Sequence, residues 1–296
     1  MPYKTGVKLV LLAALLWSLN GLLIRQIDQA GTWAVLFWRS AGMIPVLLAV
    51  IWWRSGGVFA PLRRVGWSGV VGGIGLVLAF GGAIFAFQAT TVANAVFLFS
   101  ASPFLAALLG WLVLRETVRP ATWAAIALAG VGMFLMVREG LAAGAMAGNV
   151  AALLSALGFA SFTIALRWGR LADMLPAVVL GGLFSMLAAG VVLAVEGQPL
   201  WVPWRDIAIS LAMGAGILAT GMALYTAGSR VIPAAELTLL SMVEVLLAPL
   251  WVFLALGETA SAGTLAGGAV LMAAVAFNAL SGARRRAPAP VAGIPL

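Results

Sequence analysis

Three ionisable side chains stand well inside the long apolar runs of this chain of 296 residues: Arg39, Glu236 and Glu244. Withdrawing such a group from water at the centre of a buried apolar helix costs roughly 2.5–3.5 kcal/mol on insertion scales, so each demands a partner or a purpose. Glu236, Leu240 and Glu244 recur at intervals of four and share one helical face. Glu244 follows Pro233 at a distance that, at a rise of 1.5 Å per residue, puts it about 16 Å into its run. A carboxylate at that depth can hold an amine or carry a proton. It can equally form a structural ion pair with Arg39, whose expected depth is similar.

A second group of candidates is aromatic. Trp17 is central between Lys8 and Arg25, and Asn20 lies on its face one turn on. An aromatic surface beside a few fixed polar groups suits a small amphipathic solute, although a tryptophan can also simply fill a gap between helices. Phe159, Ser161 and Phe162 form a comparable aromatic and hydroxyl group in the second half of the chain, and Asn94, Phe99, Ser102 and Tyr225 are further candidates for lining the same space. Ser100 and Ser102 precede Pro103, which removes a backbone hydrogen bond, so this stretch is first a kink whose hydroxyls re-satisfy freed groups.

Composition removes most alternatives. The chain has no histidine and no cysteine, which excludes Ser-His and Cys-His catalysis and His- or Cys-built metal sites, and no cofactor-binding motif is present. Hydrophobic residues make up 64% and charged residues 9%. Mean hydropathy is +1.12. A soluble fold cannot hide that much apolar surface and still present a polar exterior. The net charge of +8 comes from basic residues scattered at the ends of apolar runs rather than clustered for phosphate tracking, so nucleic acid is not an expected partner. The expected partners are a lipid bilayer and a small molecule, with no obligatory protein partner.

The elements that must position these residues are membrane spans. Ten apolar runs, 7–25, 32–53, 66–87, 91–114, 121–138, 147–168, 176–195, 206–228, 233–256 and 262–281, are each long enough to cross about 30 Å of hydrocarbon as helix. They lack the alternation of barrel strands. Lys4 and Lys8 before the first run suggest a signal peptide, but the run continues to Arg25 without a cleavage pattern, so it reads as an uncleaved span. Most tryptophans (Trp33, Trp52, Trp53, Trp67, Trp123, Trp168, Trp201 and Trp204) fall where an interfacial belt requires them. One side of the membrane collects Lys4, Lys8, Arg54, Arg63, Arg64, Arg115, Arg119, Arg167, Arg170, Arg230, Arg284, Arg285 and Arg286, whereas the other has Arg25, Arg138 and Arg205. That asymmetry places both termini in the cytoplasm of a multi-pass membrane protein, and the expected location is a bacterial inner membrane.

The chain also repeats. A shift of 142 residues lays Leu11-Leu12-Ala13-Ala14-Leu15 on Leu153-Leu154-Ser155-Ala156-Leu157, Arg25 on Arg167, Gly72 on Gly214, and Leu114-Arg115-Glu116-Thr117 on Leu256-Gly257-Glu258-Thr259. The expected organisation is therefore 1–142 and 143–284 as five-helix repeats, with 285–296 a disordered tail. Five spans per half is an odd number, so the second half enters the bilayer inverted, which provides two related conformations for alternating access. By the same shift Asn94 corresponds to Glu236 and Ser102 to Glu244, so spans 4 and 9 carry polar groups at matching positions. Glu116 and Glu258 are expected to cap or anchor helix ends.

The ten spans, the duplication, Arg39 in span 2 and the Glu-Thr pairs after spans 4 and 9 resemble the drug/metabolite transporter superfamily of the EamA type, and within it the exporters of aromatic amino acids. The resemblance covers about 6–281 and implies an all-α fold of ten transmembrane helices in two inverted repeats, acting as an exporter of small metabolites. Such proteins often have Glu-Pro in span 9, where this chain has Glu244-Val245 and a later Pro249. Phosphorylated substrates are disfavoured by a single intramembrane cation, Arg39. An amino acid is the substrate that the resemblance favours. A lipophilic cation and a channel-like mode remain open, while the lack of a Walker-type loop excludes ATP hydrolysis.

Overall fold

The computed structural model describes residues 1–142, 145–171 and 173–283, and among these residues it is all helix and connecting loop. The chain runs α1 (Tyr3–Ser18), α2 (Asn20–Ile24), α3 (Thr32–Ser55), α4 (Phe59–Arg64), α5 (Gly66–Ala89), α6 (Val92–Phe99), α7 (Ser102–Leu114), α8 (Pro120–Ala142), α9 (Met146–Trp168), α10 (Leu175–Glu196) and α11 (Trp204–Ala212). A π-helix (Met213–Ala219), α12 (Thr220–Gly228), α13 (Ala234–Leu256) and α14 (Ala262–Ala283) follow. Among the described residues ten helical stretches are long and apolar enough to cross a membrane, and each expected run falls on one of them with ends displaced by a few residues. α1 with α2, α6 with α7, and α11 with the π-helix and α12 each make one crossing. The expected tail, 285–296, lies outside the described residues.

The outward surface is apolar because its solvent is lipid. Leu112, Phe134, Leu187 and Leu254 are all exposed, while Trp52, Trp53, Trp67, Trp168, Trp201 and Trp204 are exposed near helix ends, as an interfacial belt requires. Inside, with lipid as apolar as leucine, close packing must come from small residues. α5 and α9 touch backbone to backbone: a Cβ on Gly75 would stand 2.9 Å from the Gly158 carbonyl oxygen, and one on Gly158 2.5 Å from that of Gly75. Gly132 of α8 and Gly267 of α14 meet in the same way. Gly73 likewise lies against Gly181 of α10.

Three spans are irregular at membrane depth. The first breaks at Leu19, between α1 and α2, where the Asn20 amide donates to the Trp17 carbonyl at 2.9 Å. The fourth breaks at Ser100-Ala101, where the Ser100 hydroxyl donates to the Phe97 carbonyl at 2.6 Å, as the serine-proline sequence led one to expect. The eighth contains the π-helix, with the Thr220 hydroxyl bonded to the Ala215 carbonyl at 3.0 Å. α13, by contrast, continues unbroken through Pro249.

The first and ninth spans run parallel, tied at three levels by pairs that all lie 233 residues apart. Tyr3 donates to Glu236 near the face bearing the N-terminus, here the N-face. Trp251 donates its indole N–H to the Ser18 hydroxyl at 2.9 Å within the membrane. Arg25 meets Glu258 at 2.8 Å near the opposite face. A constant separation is what two parallel helices in fixed register produce.

Candidate functional site

Trp17 is the residue around which a site assembles. Its indole ring packs on Tyr225 of α12 with centroids 5.4 Å apart and planes inclined at 40°. Gly221, one turn before Tyr225, leaves the indole room, since any Cβ there would collide with Nε1. The Tyr225 hydroxyl interacts with Ser241 and lies near the Glu244 carboxylate, both on α13. Asn20 stands at the helix break just beyond. Trp17, Asn20, Tyr225 and Glu244, picked out separately in the sequence, thus come from α1, α2, α12 and α13 to one region inside the bilayer.

Polar satisfaction marks this region out. Trp17 Nε1 and Asn20 Oδ1 are buried and have no hydrogen-bond partner among the described residues. An N–H donor and a carbonyl acceptor left unpaired away from water each cost about 1–3 kcal/mol, and native interiors rarely tolerate them without cause. Glu244 forms no ion pair with Arg39. Arg39 instead is buried at 5% exposure, its guanidinium 5.0 Å from the centre of the Phe80 ring and 3.4 Å from the Phe80 carbonyl. Its Nε has no partner among the described residues. The sequence put the two groups at similar depth, and helix rotation separates them. Arg39 turns towards α5, and its backbone receives Gly214 of the π-helix, where a Cβ would strike the Arg39 carbonyl.

The other expected residues lie elsewhere. Asn94 is buried near the opposite face in a polar knot: it donates to Asn149 and, at 3.2 Å, to Thr90, while Thr264 reaches its carbonyl at 3.5 Å. Glu236, aligned with it by the shift of 142 residues, is engaged by Tyr3. Phe99 packs edge-on to Phe87 at 5.3 Å. Ser102 begins α7 below the break in the fourth span. Phe162 is buried against Gly72 of α5, and Phe159 touches its ring at 5.8 Å while remaining 39% exposed. Ser161 spends its hydroxyl on the Leu157 carbonyl at 2.8 Å. Ser241 and Gly221 were not anticipated. Ser241 precedes Glu244 by one turn on the same face, which was a usable signal. Gly221 had none beyond being a glycine in a glycine-rich span.

Glu116 and Glu258 do anchor loop ends, through the two arginines that the repeat aligns. Glu258 pairs with Arg25, and Glu116 pairs with Arg167 at 2.5 Å.

Ten helices long and apolar enough to cross a membrane, with a polar region among them, define an integral membrane protein. Residues 4–138, which hold the first five spans, match the model of the EamA-like transporter family. A search of curated proteins gives no match. Seventeen chains of solved structures are similar in fold. One of them, a crystal structure of a protein, has 22% sequence identity with a TM-score of 0.66, covering 96% of this chain and 100% of its own. At that identity the likeness concerns the fold.

Proposed function

We propose that this protein is a secondary transporter that exports small amphipathic metabolites, foremost aromatic and other largely apolar amino acids, by alternating access across a bacterial inner membrane. Both termini are cytoplasmic in this reading, and the repeats 1–142 and 143–284 supply the two related conformations. The observation that carries it is the group Trp17, Asn20, Tyr225 and Glu244, aromatic rings beside a carboxylate, with an indole N–H and an amide carbonyl that have no hydrogen-bond partner among the described residues. A zwitterionic amino acid fits that set. Its ammonium is accepted by Glu244 or the Asn20 carbonyl, its carboxylate receives the indole N–H, and its side chain lies on the aromatic pair.

The same aromatic pair beside a single carboxylate favours a second reading, export of a lipophilic cation. Reconstituted vesicles challenged with a panel of amino acids, a lipophilic cation and a nucleotide sugar, with and without a pH gradient, separate the two. Saturable uptake with counterflow of aromatic amino acids is expected. Flux of the cation alone overturns the amino-acid reading, and non-saturating flux of everything overturns the carrier.

A further inference from the structure

Arg25 and Glu258 do more than pair. The Arg25 guanidinium also donates to the Thr90 carbonyl at 2.8 Å, and the other Glu258 oxygen accepts the Val92 backbone N–H at 2.7 Å. Thr90 ends α5 and Val92 begins α6, so a cation sits on a helix C-terminus and an anion on a helix N-terminus. Both match the sign of the helix dipole and both satisfy orphaned backbone groups. The ion pair, carried at the ends of the first and ninth spans, thereby clasps the turn between the third and fourth spans at the opposite face.

The repeat places a second such pair on the other side. Arg167 and Glu116 are the counterparts of Arg25 and Glu258 under the shift of 142, and they too are joined. Yet their side chains are 49% and 36% exposed, against 24% and 21% for Arg25 and Glu258. Among the described residues the Arg167 guanidinium has no hydrogen bond except that to Glu116. The turn it would clasp by symmetry follows α12, at Ile232, the counterpart of Thr90.

We propose that the two ion pairs are alternating clasps. Arg25–Glu258 grips the Thr90–Val92 turn when the pathway faces the N-face, and Arg167–Glu116 grips the turn at Ile232 when it faces the opposite side. This inference rests on the alternating-access reading above. Each clasp stabilises one of the two states, so breaking either shifts the population in a direction fixed by its face.

The chain contains no cysteine, so a single Ser241→Cys probe reports access without background. A membrane-impermeant maleimide is applied from each face of oriented vesicles. We expect labelling from the N-face in the parent. Glu258→Gln should raise labelling from the opposite face about tenfold, the scale of a lost charge-assisted hydrogen bond, and Glu116→Gln should lower it. The double exchange Arg25→Glu with Glu258→Arg, which preserves the ion pair while presenting the wrong charges to the two helix ends, should behave like Glu258→Gln. It serves as a second route should one variant fold poorly. Changes of the same sign from Glu258→Gln and Glu116→Gln, or no change in a labelled protein, overturn the clasps and leave transport standing. A probe silent from both faces in every variant overturns both.

Discussion

Trp17 lies over Gly221 with no side chain between its indole and the backbone of the eighth span. That void is filled by an aromatic ring that cannot bend. A methyl group at Gly221 must therefore swing the indole away from Tyr225. We predict that Gly221→Ala weakens substrate affinity about tenfold while the protein still folds. Equilibrium binding alongside thermal melting in detergent checks this, and an unchanged affinity removes Trp17 from the site. Trp17→Ala should produce a similar or larger loss.

Glu244 lies near Tyr225 and lacks a cationic partner among the described residues. Glu244→Gln keeps the shape and removes the charge. Substrates with a free ammonium should bind about tenfold or more weakly, since hydrogen bonds to charged groups are worth roughly 1.5–3 kcal/mol. N-acetylated analogues should be affected far less. Comparing inhibition by the two series shows whether the carboxylate reads the amine.

The contact of Gly75 with Gly158 is structural and remote from that chemistry. Gly158→Ala forces the α5 and α9 backbones apart, and overpacking of this kind costs about 1–3 kcal/mol. A lower melting temperature with unaltered substrate affinity in the folded fraction is the expected result.

Asp206 is buried at the start of α11 and accepts the backbone N–H groups of Gln29 and Ala30, both at 2.9 Å, and of Asp28 at 3.3 Å. Asp206→Ala strands these donors in the turn before α3, at a cost of about 1–3 kcal/mol. Limited proteolysis applied from the opposite face should then cut the chain near Asp28 several times faster than in the parent.

Much of this molecule could be read in advance because lipid imposes simple rules. Ten apolar runs became ten crossings, since a backbone in hydrocarbon has few other ways to satisfy itself. Trp17, Asn20, Tyr225 and Glu244 could be chosen for being polar or aromatic at depth. Helix rotation could not be read in the same way, because a continuously apolar span has no strong periodicity to say which side faces in. Whether Arg39 paired with Glu244 was therefore open, and the two form no ion pair. Asn94 looked like a pathway residue and is spent on Asn149, Thr90 and Thr264. The break at Leu19 has no proline or glycine at that residue to announce it. The pairing of Arg25 with Glu258 and of Arg167 with Glu116 was hidden for another reason. The repeat aligned the four residues with one another, but contact between segments so far apart in the chain is decided only by the packing of the whole bundle.

The fixed separation of 233 residues between the first and ninth spans bears on how the protein is made. At a ribosomal speed of about 5–20 residues per second, roughly 10–50 s pass between synthesis of Tyr3, Ser18 and Arg25 and the arrival of Glu236, Trp251 and Glu258. During that wait the leading helix sits in the bilayer with its polar groups awaiting their companions. Final docking is then a late event in biogenesis, and a chain truncated before the ninth crossing leaves its first helix a ready client for membrane quality control.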